Sequence, residues 1–117
     1  MFWSRKKPNT GQSIGPSTSY EDAKEATRRA AFLNVAQAMS EDEVYKRQLS
    51  ELFRICRSAA ISAGAMAGYS GAKVDAEIGA LCDADTSRLK SSSDDEFRDF
   101  VRESGEIVTQ FIGKLDL

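Results

Sequence analysis

The sequence predicts an all-α fold, a small antiparallel helical bundle of about four helices with a disordered N-terminal tail. Three observations carry this prediction. Beyond Ser19 there is no proline and alanine is abundant, which favours helix by intrinsic preference. No alternating Val/Ile/Thr/Tyr stretch of strand length occurs, so the period-2 signal of a half-buried strand is missing. Two Ser-x-x-Glu sequences, Ser40 to Glu43 and Ser93 to Glu96, each precede an amphipathic run, as a helix-opening capping box does.

Taken in order, residues 1–18 hold both prolines among Ser, Thr, Asn and Gln with no helical period, and read as a mobile tail. Residues 19–117 are assigned to one bundle domain. Its first helix is predicted over about Tyr20 to Met39. Ser40 then caps a second helix beginning at Glu41, with Met39 and Val44 placed to form a hydrophobic staple across the box. The second helix carries Tyr45, Leu49, Leu52, Cys56, Ala59, Ala63 and Met66 along one stripe and ends near Gly64 or Gly68. A third helix, about Ala72 to Leu89, buries Val74, Ile78 and Leu81; its acids Asp75 and Glu77 come early and Arg88 and Lys90 late, as the helix dipole favours. The fourth opens at the Ser93 box and buries Phe97, Val101, Ser104, Val108, Phe111 and Leu115, with Phe100 and Ile112 widening the stripe. Short connections favour antiparallel neighbours.

The chain has 117 residues and a net charge of -2, the size of one small domain. It contains no histidine, which removes the side chain that most readily moves protons near neutral pH and the commonest metal ligand. Zinc sites built on His and Ser-His or Cys-His catalysis are thereby excluded. Cys56 and Cys82 form no CxxC pair, so neither a disulfide framework nor a thiolate cluster is indicated and a reducing, cytoplasmic location is expected. The longest uncharged stretch, Ser58 to Ala72, is 15 residues, short of the roughly 20 that span a bilayer. The first residues carry no apolar run of the signal-peptide kind. Three basic residues and no acid fall in residues 1–19, leaving the remainder at about -5; such a body is poorly suited to a phosphate backbone. Leu, Ile, Val and Phe total only 24 residues, a lean core that a partner or second copy would supplement.

Several constellations are candidate sites. Ala60, Gly64 and Gly68 repeat every four residues beside Ala59, Ala63 and Ala67; small side chains let helix backbones approach closely, within the chain or across an interface. In the tail, Phe2 and Trp3 stand beside Arg5, Lys6 and Lys7, a pairing suited to a headgroup region or an acidic groove, although a polybasic lipid signal uses about 4–8 bases. Residues 63–78 loosely resemble a helix-turn-helix of the phage-repressor type, with Ala63, Ala67, Gly68 and Val74 at the small, turn and buried positions; Asp75 and Glu77 against Lys73 alone disfavour DNA contact. Asp83, Asp85, Ser87 and Asp94 have the spacing of a calcium loop, but Arg88 stands where that loop turns on glycine and Lys90 at a normally apolar position, so the stretch reads as a solvated acidic connection. Cys56 is expected in the core, and Asp83 opposes thiolate formation at Cys82. Glu25 and Arg29, Glu43 and Arg47, and Asp99 and Arg102 read as pairs on solvated faces.

With no catalytic residue, metal or cofactor indicated, the expectation is a non-enzymatic helical interaction protein. It would bind a protein partner or self-associate. A DNA-binding protein using residues 63–78 and a peripheral membrane protein attached by its tail are the alternatives.

Overall fold

The computed structural model of the protein describes residues 19–115; the predicted tail, with Phe2, Trp3, Arg5, Lys6 and Lys7, lies outside the described residues. These form four helices, α1 (Tyr20–Ala36), α2 (Glu43–Met66), α3 (Gly71–Leu89) and α4 (Asp94–Lys114), with no strand among the described residues. The all-α, four-helix prediction is met.

Each helix begins on a side-chain cap that satisfies an otherwise orphaned amide. Ser19, Ser70 and Ser93 accept from the amides of Asp22, Lys73 and Glu96. At α4 the box is complete, because the Glu96 carboxylate also accepts from the Ser93 amide at 2.7 Å. The expected box at Ser40 does not form. Asp42 caps α2 by accepting from the Tyr45 amide at 3.0 Å, while the Ser40 hydroxyl accepts from the Asp42 amide in a turn. A carboxylate two residues on competes for the same role, and α2 therefore starts at Glu43 and not at Glu41. Met39 and Val44 are both exposed, so the expected staple is absent, and α1 stops at Ala36, short of Met39.

The end of α2 rests on Gly68, whose φ of 90° lies in the left-handed region that disfavours side chains. The Gly68 amide donates to the Ala65 carbonyl at 3.0 Å and the Tyr69 amide to the Gly64 carbonyl at 2.8 Å, the two bonds of a Schellman motif.

Contacts between helices give their directions. The start of α1 meets the end of α2, where Tyr20 lies beside Gly64, and the end of α1 meets the start of α2, where Asn34 Nδ2 donates to the Leu49 carbonyl at 3.0 Å. These two helices are antiparallel. Arg57 of α2 pairs with Asp75 of α3, again antiparallel, and Arg29 of α1 reaches Ser104 of α4 while Phe32 reaches Phe100 and Phe97, antiparallel once more. Between α1 and α3 the order is the same in both, since Lys24 meets Glu77 and Arg28 meets Asp85. The chain thus runs up, down, up, down. The arrangement departs from a square bundle in one respect. Helix α1 packs on all three others, whereas α3 and α4 share no packed seam.

Helix α1 occupies this central place because its inner face is small. Ala23, Ala26 and Ala30 are fully buried, with Thr27 between them. Short side chains let three helices close onto one, so the lean core is packed through backbone approach instead of bulk. Leu33, Leu49, Val74, Ile78, Val108 and Phe111 complete it.

Candidate functional site

The small-residue repeat of α2 belongs to this core. Ala60 and Gly64 are buried within the chain, and a methyl group at Gly64 would stand 2.5 Å from Val74 Cγ2. Their reading as an external interface is therefore corrected, because the close approach they permit is already used by α1 and α3. Gly68 is exposed and serves the helix end described above. The observed buried stripe of α2 is Leu49, Cys56, Ala60 and Gly64; Tyr45 and Met66 of the expected stripe are exposed.

The calcium-loop spacing also dissolves. Asp83, Asp85 and Ser87 lie inside α3, and Asp94 opens α4, so no loop gathers their oxygens. No group of three or more potential metal-ligating His, Cys, Asp or Glu occurs among the described residues. The expected solvated connection is a helix as far as Leu89, and one of its acids, Asp85, is 5% exposed. At the start of α3, Lys73 is paired with Glu77 at 3.0 Å and Asp75 with Arg57 at 2.7 Å.

Charges expected on solvated faces do interior work. Arg29 is buried; its Nε donates to Glu25 at 3.0 Å, its Nη1 donates to Ser104 Oγ at 3.3 Å and pairs with Glu103, and its guanidinium lies 4.4 Å from the Phe100 ring centre. This joins α1 to α4 through charge-assisted bonds and a cation-π contact. Glu43 pairs with Lys46 rather than the expected Arg47, while Asp99 and Arg102 pair as expected. Glu77 receives Lys24 at 2.7 Å, Lys73 at 3.0 Å and the Tyr20 hydroxyl at 2.9 Å, and the bonds from Lys24, Lys73 and Tyr20 hold its carboxyl down to about 2. Cys56 is buried, which pushes its thiol up to about 12. Cys82 is raised by burial first and then by Asp85 and Asp83. Neither is a ready nucleophile.

The cavity of interest lies where α3 and α4 fail to close. It is a cleft of about 280 Å³, lined by Phe32 and Val35 of α1, Cys82, Asp85 and Leu89 of α3, and Phe97 of α4. Phe32 supports the α4 side by edge-on contacts to Phe97 at 5.6 Å and Phe100 at 4.6 Å. Val35 is 75% exposed and Phe97 40%. Sequence periodicity placed Phe97 in the core because it falls on the Val101 and Ser104 stripe; Phe32 meets its ring, but without an α3 seam it stays 40% exposed.

One wall is polar and incompletely paired. Asp85 Oδ1 lies 3.5 Å from Arg28 Nη1 and 3.7 Å from Arg88 Nη2, both ion-pair distances. Its Oδ2 is buried without a hydrogen-bond partner, and so is Arg28 Nε, which lies 3.1 Å from Glu25 Oε1 without bonding geometry. Buried polar groups are normally satisfied. Both atoms are buried behind the wall, so they belong to an incompletely hydrogen-bonded ion-pair cluster joining α1 to α3 and are not offered to a ligand in the cleft. Nothing in the sequence pattern marked Arg28, and Asp85 stood out only in the calcium-loop spacing, not as a partner of Arg28. The only signal was an acid and a base, 57 positions apart, that helix pairing brings together.

No helix among the described residues is long and apolar enough to cross a membrane. Comparison of the chain with protein-family models, with curated proteins and with solved structures gave no match.

Proposed function

We propose that the chain is a non-enzymatic helical interaction protein of the cytoplasm that receives an apolar segment of a protein, from a partner or a second copy, in the cleft between α1, α3 and α4. The observation that carries this reading is the open apolar cleft itself, lined by Phe32, Val35, Leu89 and Phe97, with Val35 and Phe97 exposed. Its volume suits one aromatic or two aliphatic side chains, the anchor residues that dominate protein interfaces.

The test is differential capture from the native host with three baits: wild type, Phe97→Glu at the mouth, and Ser58→Glu on an exposed position of α2. Light scattering after size exclusion is run on each bait. The proposal expects a protein, or a second copy, retained by wild type and Ser58→Glu and lost with Phe97→Glu. Equal behaviour of all three baits would overturn it.

A further inference from the structure

Resting on that reading, we infer that the apolar segment received by the cleft is the α1–α2 turn of a second copy of this chain, with Met39 as its anchor. The two copies exchange Met39 about a two-fold axis, and Glu41 of each meets Lys90 of the other.

The up-and-down order puts the ends of α1 and α3 and the starts of α2 and α4 at one end of the bundle. That end gathers five of the seven large apolar side chains left exposed among the described residues, namely Val35, Met39, Val44, Tyr45 and Phe97. Met39 stands furthest out, at 93% exposure. It belongs neither to α1 nor to a staple with Val44, and it does not line the cleft of its own chain.

The turn that carries Met39 is held beside the cleft. The Ala38 amide donates to the Val35 carbonyl at 3.2 Å and the Ser40 amide to the Gln37 carbonyl at 3.0 Å. A turn closed in this way keeps its end residues within about 7 Å, so Met39, one Cα step beyond Ala38, lies no more than about 11 Å from Val35. An apolar projection and an apolar recess therefore stand side by side. The recess, about 280 Å³, has room for a methionine side chain, whose flexibility suits irregular gaps.

Charge on this surface is paired in the same way. Glu41, two residues beyond Met39, and Lys90, which lines the cleft, are both exposed. Neither has an ion pair among the described residues. A closed dimer buries one patch on both subunits, so that patch must contain both halves of every contact. Here a projection accompanies a recess and an acid accompanies a base, whereas an unrelated partner calls for only one of each. Self-pairing also covers apolar surface that so lean a core leaves open.

The experiment is sedimentation equilibrium of the full chain from about 10 nM, with fluorescence detection, to about 1 mM, which spans tight to weak dimers. Wild type is compared with Met39→Gln, Glu41→Lys, Lys90→Glu, the double variant Glu41→Lys/Lys90→Glu, and Ser58→Glu. All the substituted positions are exposed, and circular dichroism confirms that each variant is folded. Wild type and Ser58→Glu are expected to form a dimer and nothing larger. Met39→Gln and each single charge reversal should raise the dissociation constant about tenfold or more, since each acts twice in the interface. The double variant restores opposite charges across the axis and should return to within about threefold of wild type. Four outcomes overturn the inference: a wild type that is monomeric throughout, association beyond the dimer, a dimer indifferent to Met39→Gln or to the single charge reversals, and a double variant as weak as the single ones. If wild type is monomeric while Phe97→Glu still abolishes partner capture, self-pairing falls and the interaction reading stands.

Discussion

A methyl group added at Gly64 would stand 2.5 Å from Val74 Cγ2 and 3.3 Å from Tyr20 Cε1. Gly64→Ala is therefore expected to destabilise the fold by about 1–3 kcal/mol, as overpacking does, despite alanine's better helix propensity. Gly79 and Gly105 lie inside α3 and α4 with open space at the Cβ position. There the propensity gain acts alone, and alanine should stabilise by about 0.5–1 kcal/mol. Urea titration of the three variants checks the opposite signs. Glu77 gives a second residue-scale prediction. Its carboxyl is lowered from 4.5 to about 2, so its contribution to stability is present above its unfolded pKa and is lost as pH falls from about 4.5 towards 2. Thermal melts across that window should show a shallower acid loss for Glu77→Gln than for wild type; equal slopes would contradict the assignment. Residue identity alone revealed little of this. Arg29 and Asp85 look like solvated helix charges in the sequence, and only the packing of α4 and α1 over them makes them interior groups.

At the scale of the element, caps were legible where one residue had no rival. Ser93 and Glu96 form the reciprocal box their spacing implies, whereas at Ser40 the carboxylate of Asp42 offered a better acceptor and moved the start of α2. Ser93→Ala is accordingly expected to cost about 1 kcal/mol and Ser40→Ala less than about 0.5 kcal/mol, with Asp42→Ala resembling the former; chemical denaturation distinguishes them. The Ala/Gly repeat of α2 was visible, but its partner face was not. At Gly64 it is supplied by Val74 of α3 and Tyr20 of α1; the buried Ala23, Ala26 and Ala30 of α1 were hidden too, because alanines spaced along a polar, highly charged helix give too weak a hydrophobic signal to separate a buried face from an exposed one.

At the scale of the whole molecule, composition and cap spacing were enough to read four helices in an up-and-down order. The site was not legible, because it arises from which pair of helices is left unpacked. Once the small face of α1 draws α2, α3 and α4 onto itself, the last two stand apart, Phe97 is left part-exposed, and Arg28 meets Asp85 beside the opening. This opening is where, on our proposal, the protein meets an apolar segment. Site-specific photo-crosslinking in the native host tests it most directly, with a photoreactive phenylalanine analogue at position 97 and, in a second strain, at position 58. Adducts to another polypeptide, a partner or a second copy, are expected at 97 and none at 58. No adduct at 97, or the same adducts at both positions, would contradict it.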